Sequence, residues 1–174
     1  MKTKISLSLT ALLLITVAAG TLSASAQAST PALLKFAQQE LKKKVKETNG
    51  NNIPRGARGA VASYSIKLPW CVSFVSVGLS RAGYSSHLEP RSMPSQTGQQ
   101  VIGYTGTLIS WGKKQKRLTK VARPGYIAVY REYVTVVEKV NRRGAVVSEI
   151  GGNLNDAVTR RGAGAATPLF FIRV

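Results

Sequence analysis

The periodicity of apolar residues changes once along this chain, and that change restricts the fold more than any motif does. As far as Gly83 apolar side chains recur at helical spacing, whereas beyond Pro124-Gly125 they gather in short runs rich in β-branched and aromatic residues. A helical pattern turns its apolar face every ~3.6 residues and a strand alternates, so neither half can exchange roles with the other. Helices followed by strands indicate an α+β domain, with N-terminal helices packed on a small antiparallel sheet.

The punctuation supports that order. Thr30-Pro31 suits an N-cap and first helical position, and Leu34, Ala37 or Gln38, Leu41 and Val45 carry an amphipathic helix through Lys46. Lys42, Lys43, Lys44 and Lys46 crowd its last turns, where cations match the macrodipole and water solvates them. Asn, Pro and Gly residues break the pattern over 49–56, and a shorter helix is expected over 57–65. A third helix starts near Pro69, buries a stripe of Phe74, Val75, Gly78, Leu79 and Ala82, and stops at Gly83 as a C′ residue. From 85 to 123 the chain shows no sustained period. Strands are expected over 126–130, 134–140, 145–150 and 169–174, the middle pair joined through Asn141-Arg142-Arg143-Gly144.

The first residues read as an address. Met1-Lys2-Thr3-Lys4 is a basic start, an apolar stretch follows to about Gly20, and Ala24-Ser25-Ala26 or Ala26-Gln27-Ala28 offers small-residue cleavage. This predicts a signal peptide over 1–28 and a secreted or periplasmic single domain over 29–174, with no membrane span left after cleavage. An uncleaved N-terminal anchor is the competing reading. Loss of Lys2 and Lys4 leaves 23 Lys/Arg against seven Asp/Glu, a net +16. Such a charge suits an anionic partner: cell-envelope polymer, lipid headgroups or nucleic acid. The densest basic run, Lys113-Lys114-Gln115-Lys116-Arg117, stands next to Trp111, whose ring either stacks on a ligand or packs on its own loop. No nucleic-acid module is present, so nucleic acid is not expected as partner.

Cys71 is the only cysteine, and it lies in the first turn of the third helix. Unpaired N–H groups and the positive helix end there favour thiolate, which suits a nucleophile; a small core filler beside Phe74 and Val75 is the alternative. A lone cysteine cannot form an internal disulfide. One cysteine and one histidine give no metal-ligand cluster, and no cofactor is implied.

Four segments in order carry a resemblance. They are Glu47-Thr48-Asn49-Gly50-Asn51-Asn52, then Leu68-Pro69-Trp70-Cys71-x-x-Phe74-Val75 with Leu79 and Ala82-Gly83, then Arg123-Pro124-Gly125, and last Gly151-Gly152-Asn153-Leu154-Asn155-Asp156. Together they resemble CHAP domains, the cysteine, histidine-dependent amidohydrolases/peptidases related to NlpC-type cell-wall peptidases, across residues 40–174. The resemblance implies a papain-like α+β fold in which Cys71 attacks an amide of peptidoglycan. It also implies a histidine base on the first strands of the sheet, oriented by a third polar residue, for which Asn153 or Glu149 is the candidate. Trp70 would cover the thiol, and Trp111 and Lys113 would meet substrate.

The histidine position departs from the family. After Pro124-Gly125 the chain reads to Glu132-Tyr133-Val134, and Tyr133 stands where the histidine is expected. A phenol titrates near ~10, too high for a general base at neutral pH. The only histidine, His87, follows the far end of the Cys71 helix, whose exit is about 18 Å from the thiol at ~1.5 Å per residue. Four residues at ~3.5 Å each cannot return that distance. Two functions follow: an exported CHAP-like cysteine amidase or endopeptidase of peptidoglycan with impaired catalysis, or a non-catalytic descendant that binds anionic wall polymer or a protein partner.

Overall fold

The computed structural model describes residues 30–47, 54–55, 64–84, 92–98, 100–162, 164 and 166–174. The expected leader, most of the helix expected over 57–65, and His87 lie outside the described residues. In chain order the elements are α1 (Ala32–Lys42), β1 (Lys46–Glu47), β2 (Pro54–Arg55), α2 (Cys71–Arg81), β3 (Ser92–Pro94), β4 (Gln100–Ile102), α3 (Thr105–Lys114) and β5 (Leu118–Thr119). Then come β6 (Ile127–Val129), β7 (Val134–Val140), β8 (Val146–Leu154), β9 (Ala157–Gly162) and β10 (Phe170–Ile172). Eight strands form one antiparallel sheet in the order β2-β1-β9-β8-β7-β6-β10-β5, and β3 pairs with β4 apart from it. The architecture is α+β, with a larger sheet than expected and short strands interleaved among the helices.

Each sheet face has its own core. Ile127, Val129, Val134, Val136, Ile150 and Ile172 join the buried residues of α1, α2 and α3 on one face. Ala128, Tyr130, Val137 and Phe171 cluster on the other with Ala122. Alternation along β6 and β7 divides the two sets, as a pleated strand requires.

The helix expected through Lys46 stops at Lys42. Lys44 takes φ +52°, and the chain leaves as β1, so that the Val45 carbonyl accepts the Val158 N–H at 2.8 Å. Sheet pairing here overrides helical periodicity. The end of α2 follows expectation: Gly83 takes φ +86°, its N–H reaches Ser80 O, and Tyr84 N–H reaches Leu79 O, the paired bonds of a Schellman stop. Helix α3 is a correction, since its stretch read as irregular. Its buried residues, Thr107, Leu108, Trp111 and Gly112, make a stripe of barely two turns, too short to stand out among glycines and serines.

Strand β9 was also missing from the expectation, since Ala157-Val158-Thr159-Arg160-Arg161-Gly162 has no sustained apolar alternation. Both arginines are held by buried carboxylates on opposite faces. Arg160 donates from Nε and Nη2 to Glu138 at 2.6 and 2.7 Å on the helix-covered face, where Ser148 and Gln38 also bond Glu138. Arg161 donates to Glu149 on the far face, beside Tyr130 and Thr135 hydroxyls at 2.8 and 2.7 Å. These contacts link the outer strand β9 to β8 and β7.

Helix α2 rests on β8 at Gly152. A Cβ there would lie 2.7 Å from Phe74 Cβ and 2.8 Å from the Trp70 ring, distances that ordinary side chains do not reach.

Two outcomes follow. Both changes leave a buried carboxylate without its cation, Glu149 at 1 % and Glu138 at 4 % exposure, but Arg160 is 52 % exposed and Arg161 23 %, so water replaces Arg160 more readily: Arg161→Met costs about 3 kcal/mol and Arg160→Met about 1 kcal/mol. Urea unfolding of both variants measures the difference, and equal losses would refute the assignment. Gly152→Ala overpacks the α2 seat and costs about 2 kcal/mol in the same assay.

Candidate functional site

The start of α2 is built from three side chains distant in sequence. Trp70 occupies the N-cap position with no side-chain cap of its own, and its ring is fully buried and stacked on Tyr64 at 5.5 Å. Its indole N–H donates to Glu47 Oε1 at 2.6 Å. Asn153, at φ +55° in the β8 irregularity, completes the bracket. With its amide oriented to satisfy both neighbours, it donates to Glu47 Oε1 (3.1 Å) and accepts the Trp70 backbone N–H (3.2 Å). Gly-Gly-Asn thus serves two purposes. Gly152 admits the helix, and Asn153 ties its first residue to β1.

Cys71 follows immediately and is 7 % exposed. Backbone N–H groups of Val134, Val72 and Cys71 itself act on the sulfur and favour thiolate, but burial outweighs them and pushes the thiol pKa up. The helix-end argument from sequence anticipated the opposite direction. Among the described residues, the groups acting on the sulfur besides burial are these backbone donors; no carboxylate, lysine or histidine side chain is among them. An activated thiol needs a base within ~2.6–3.2 Å.

The strand facing the thiol is β7, and its register decides which residue can serve. Paired residues of β7 and β8 end at Val136 and Ile150 on this side, and the next inward-facing position on β7 is Val134, fully buried in the same core as Cys71. The Val134 backbone N–H acts on the sulfur, and the Val134 side chain belongs to the same core as Cys71. Tyr133, where the resemblance would place a histidine, is partly buried and packs against both cores. Its ring stacks on Tyr130 at 4.3 Å, and the Arg161 guanidinium lies 4.3 Å from its centroid. Glu149 lies on the far face, held by Tyr130, Thr135 and Arg161. Burial and the Glu149 carboxylate push the Tyr130 phenol pKa up, so it remains a neutral donor.

The four residues singled out for catalysis therefore divide. Cys71 and Asn153 lie about the α2 start, with Asn153 bound to Glu47 and Trp70; Tyr133 and Glu149 are joined through Arg161. A cleft of about 490 Å³ at the strand ends brings Tyr133 and Asn153 to one opening with Glu132, Thr159, Arg160 and Arg161, and Cys71 does not line it. The expected substrate-binding tryptophans are both core residues: Trp70 is fully buried and Trp111, 2 % exposed, meets Tyr84 edge-on at 6.2 Å. Lys113 is exposed in the last turn of α3. Residues that mattered and were not singled out are Glu47, Val134 and Arg161. Glu47 heads the first of the segments that carry the resemblance, and Arg161 is one of two adjacent arginines, but neither position in sequence discloses its partner.

Among the described residues no group of His, Cys, Asp and Glu could hold a metal ion, and no helix is long and apolar enough to cross a membrane. Iodoacetamide alkylation of Cys71 is expected to be slower than that of free cysteine at pH 7.5 and to rise only above the ordinary thiol range of about 8.5. A midpoint below that range, read from the rate against pH, would overturn the burial argument. The chain matches no protein-family model, no curated protein and no solved structure.

Proposed function

We propose that this chain is an exported module of CHAP-like, papain-like ancestry that binds peptidoglycan or another anionic cell-envelope polymer without cleaving it. The observation that carries this reading is the seat of Cys71: it is buried in an aliphatic and aromatic core, among the described residues only backbone N–H groups act on its sulfur, and burial keeps the thiol protonated. Acyl transfer through a cysteine requires a base to take its proton and return it to the leaving amine. Loss of that base removes several powers of ten in rate.

Charge supports the binding half. Four of the seven acidic side chains, Glu40, Glu47, Glu138 and Glu149, are buried and engaged internally, while most lysines and arginines of the described residues are exposed. The surface is more cationic than the net charge alone conveys. A second reading, slow Cys71-dependent amidase activity, draws on the N–H donors around the sulfur, which would also stabilise an oxyanion.

Co-sedimentation with purified sacculi separates the readings. The chain lacking residues 1–28 and its Cys71→Ala variant should sediment equally, bind more weakly as salt rises, and release no new amino groups. Amine release that disappears in Cys71→Ala would establish the hydrolase instead, and a wild type that fails to sediment would remove the polymer-binding reading. Val134→His tests the missing base directly. It should gain amine release that Tyr133→His, with its imidazole directed toward Tyr130 and Arg161, does not.

A further inference from the structure

We propose that the polyanion docks on the sheet edge formed by the end of α3, β5 and β10, away from Cys71; this locates the binding surface of the preceding reading and rests on it. Lys113, Lys114 and Lys116 leave the last turn of α3 into solvent, and Lys120, Arg123 and Arg173 are exposed beside them. The three ion pairs of the described residues involve Glu40, Glu138 and Glu149, and none falls on this edge.

What distinguishes this cluster from scattered surface lysines is how it is held. Lys120 Nζ donates to Leu169 O at 2.7 Å, Arg117 Nη1 to Arg173 O at 3.2 Å, and Arg173 Nη2 to Lys116 O. Carbonyl acceptors fix these cations in place without neutralising them. Arg117 is further held over the Tyr84 ring at 4.6 Å. A charged array ordered before binding loses less side-chain entropy when a ligand arrives. By contrast Lys43 on α1 is paired with Glu40.

The shape of the edge favours a linear polymer. β5 is the terminal strand of the sheet, and among the described residues no further strand covers this side. Extending the β5–β10 register sets Val121 opposite Leu169, both exposed, at 57 % and 48 %. Two aliphatic side chains offer little area for insertion into lipid, but suffice to contact the uncharged links between successive anionic groups. The occupant is a flexible chain carrying repeated phosphate or carboxylate groups.

The test compares two charge reversals of equal size, using inorganic polyphosphate as probe. Lys113→Glu/Lys114→Glu/Lys116→Glu alters the proposed edge at exposed side chains, leaving the carbonyl bonds of Arg117, Lys120 and Arg173 in place, and Lys35→Glu/Lys42→Glu/Lys44→Glu alters the α1 surface. With both folds checked by circular dichroism, the edge variant should lose at least about tenfold in affinity, and its slope of log K against log salt should fall by about 2, while the α1 variant changes less than about threefold. Equal weakening of both would overturn the proposal in favour of delocalised charge. Wild-type binding to phosphatidylglycerol vesicles that exceeds polyphosphate binding and needs the same edge would overturn it in favour of a membrane surface. Failure of the underlying reading looks different: edge-dependent polyphosphate binding without sedimentation on sacculi retains the edge and removes the wall polymer. Sedimentation that both variants lose equally removes the edge alone.

Discussion

Burial of carboxylates is the constraint on which the rest of this structure depends. An ionised carboxyl group is costly to remove from water unless cations and hydrogen-bond donors replace its hydration. Glu138 and Glu149 meet that condition from opposite faces of the sheet through consecutive arginines on β9, while Glu40 and Glu47 meet it near the two helices on which the core is built. The outer strand is joined to the central strands by these contacts. The same arrangement withdraws anions from the surface, so an already basic chain presents an almost uncompensated cationic exterior.

Glu47 extends this logic to the start of α2. It receives the Trp70 indole and the Asn153 amide, fixing the residue before Cys71 against β8, and Gly152 leaves the space in which the helix lies. The sulfur is thereby carried into the core beside Val134. Backbone N–H groups surround it, as they would in a hydrolase, yet the desolvation that accompanies this seat raises the thiol pKa. The helix end and its N–H groups favour thiolate, burial opposes them, and burial prevails.

The cationic cluster and the thiol occupy different places. The thiol lies under β7 and β8, in the middle of the strand order, whereas the ordered cations gather at its β5 end, around β5 and β10. A polymer held at that edge would not need to reach the thiol.

Sequence by itself determined the α+β class, the α2 helix with its glycine stop, the hairpin after Val140 and the prominence of Cys71, since periodicity, turn residues and helix punctuation are local properties. It did not disclose α3 or β9. The stripe of α3 is too short to register, and the arginines of β9 make sense only beside carboxylates contributed by β7 and β8. Tertiary structure alone decided what surrounds the sulfur. Val134 lies in the core of Cys71, whereas Tyr133 packs against both cores and stacks on Tyr130, a division that depends on strand register and not on local sequence. It also decided that Trp70 and Trp111 are core, because a tryptophan near a basic run or a cysteine looks the same in sequence whether its ring meets a ligand or its own protein.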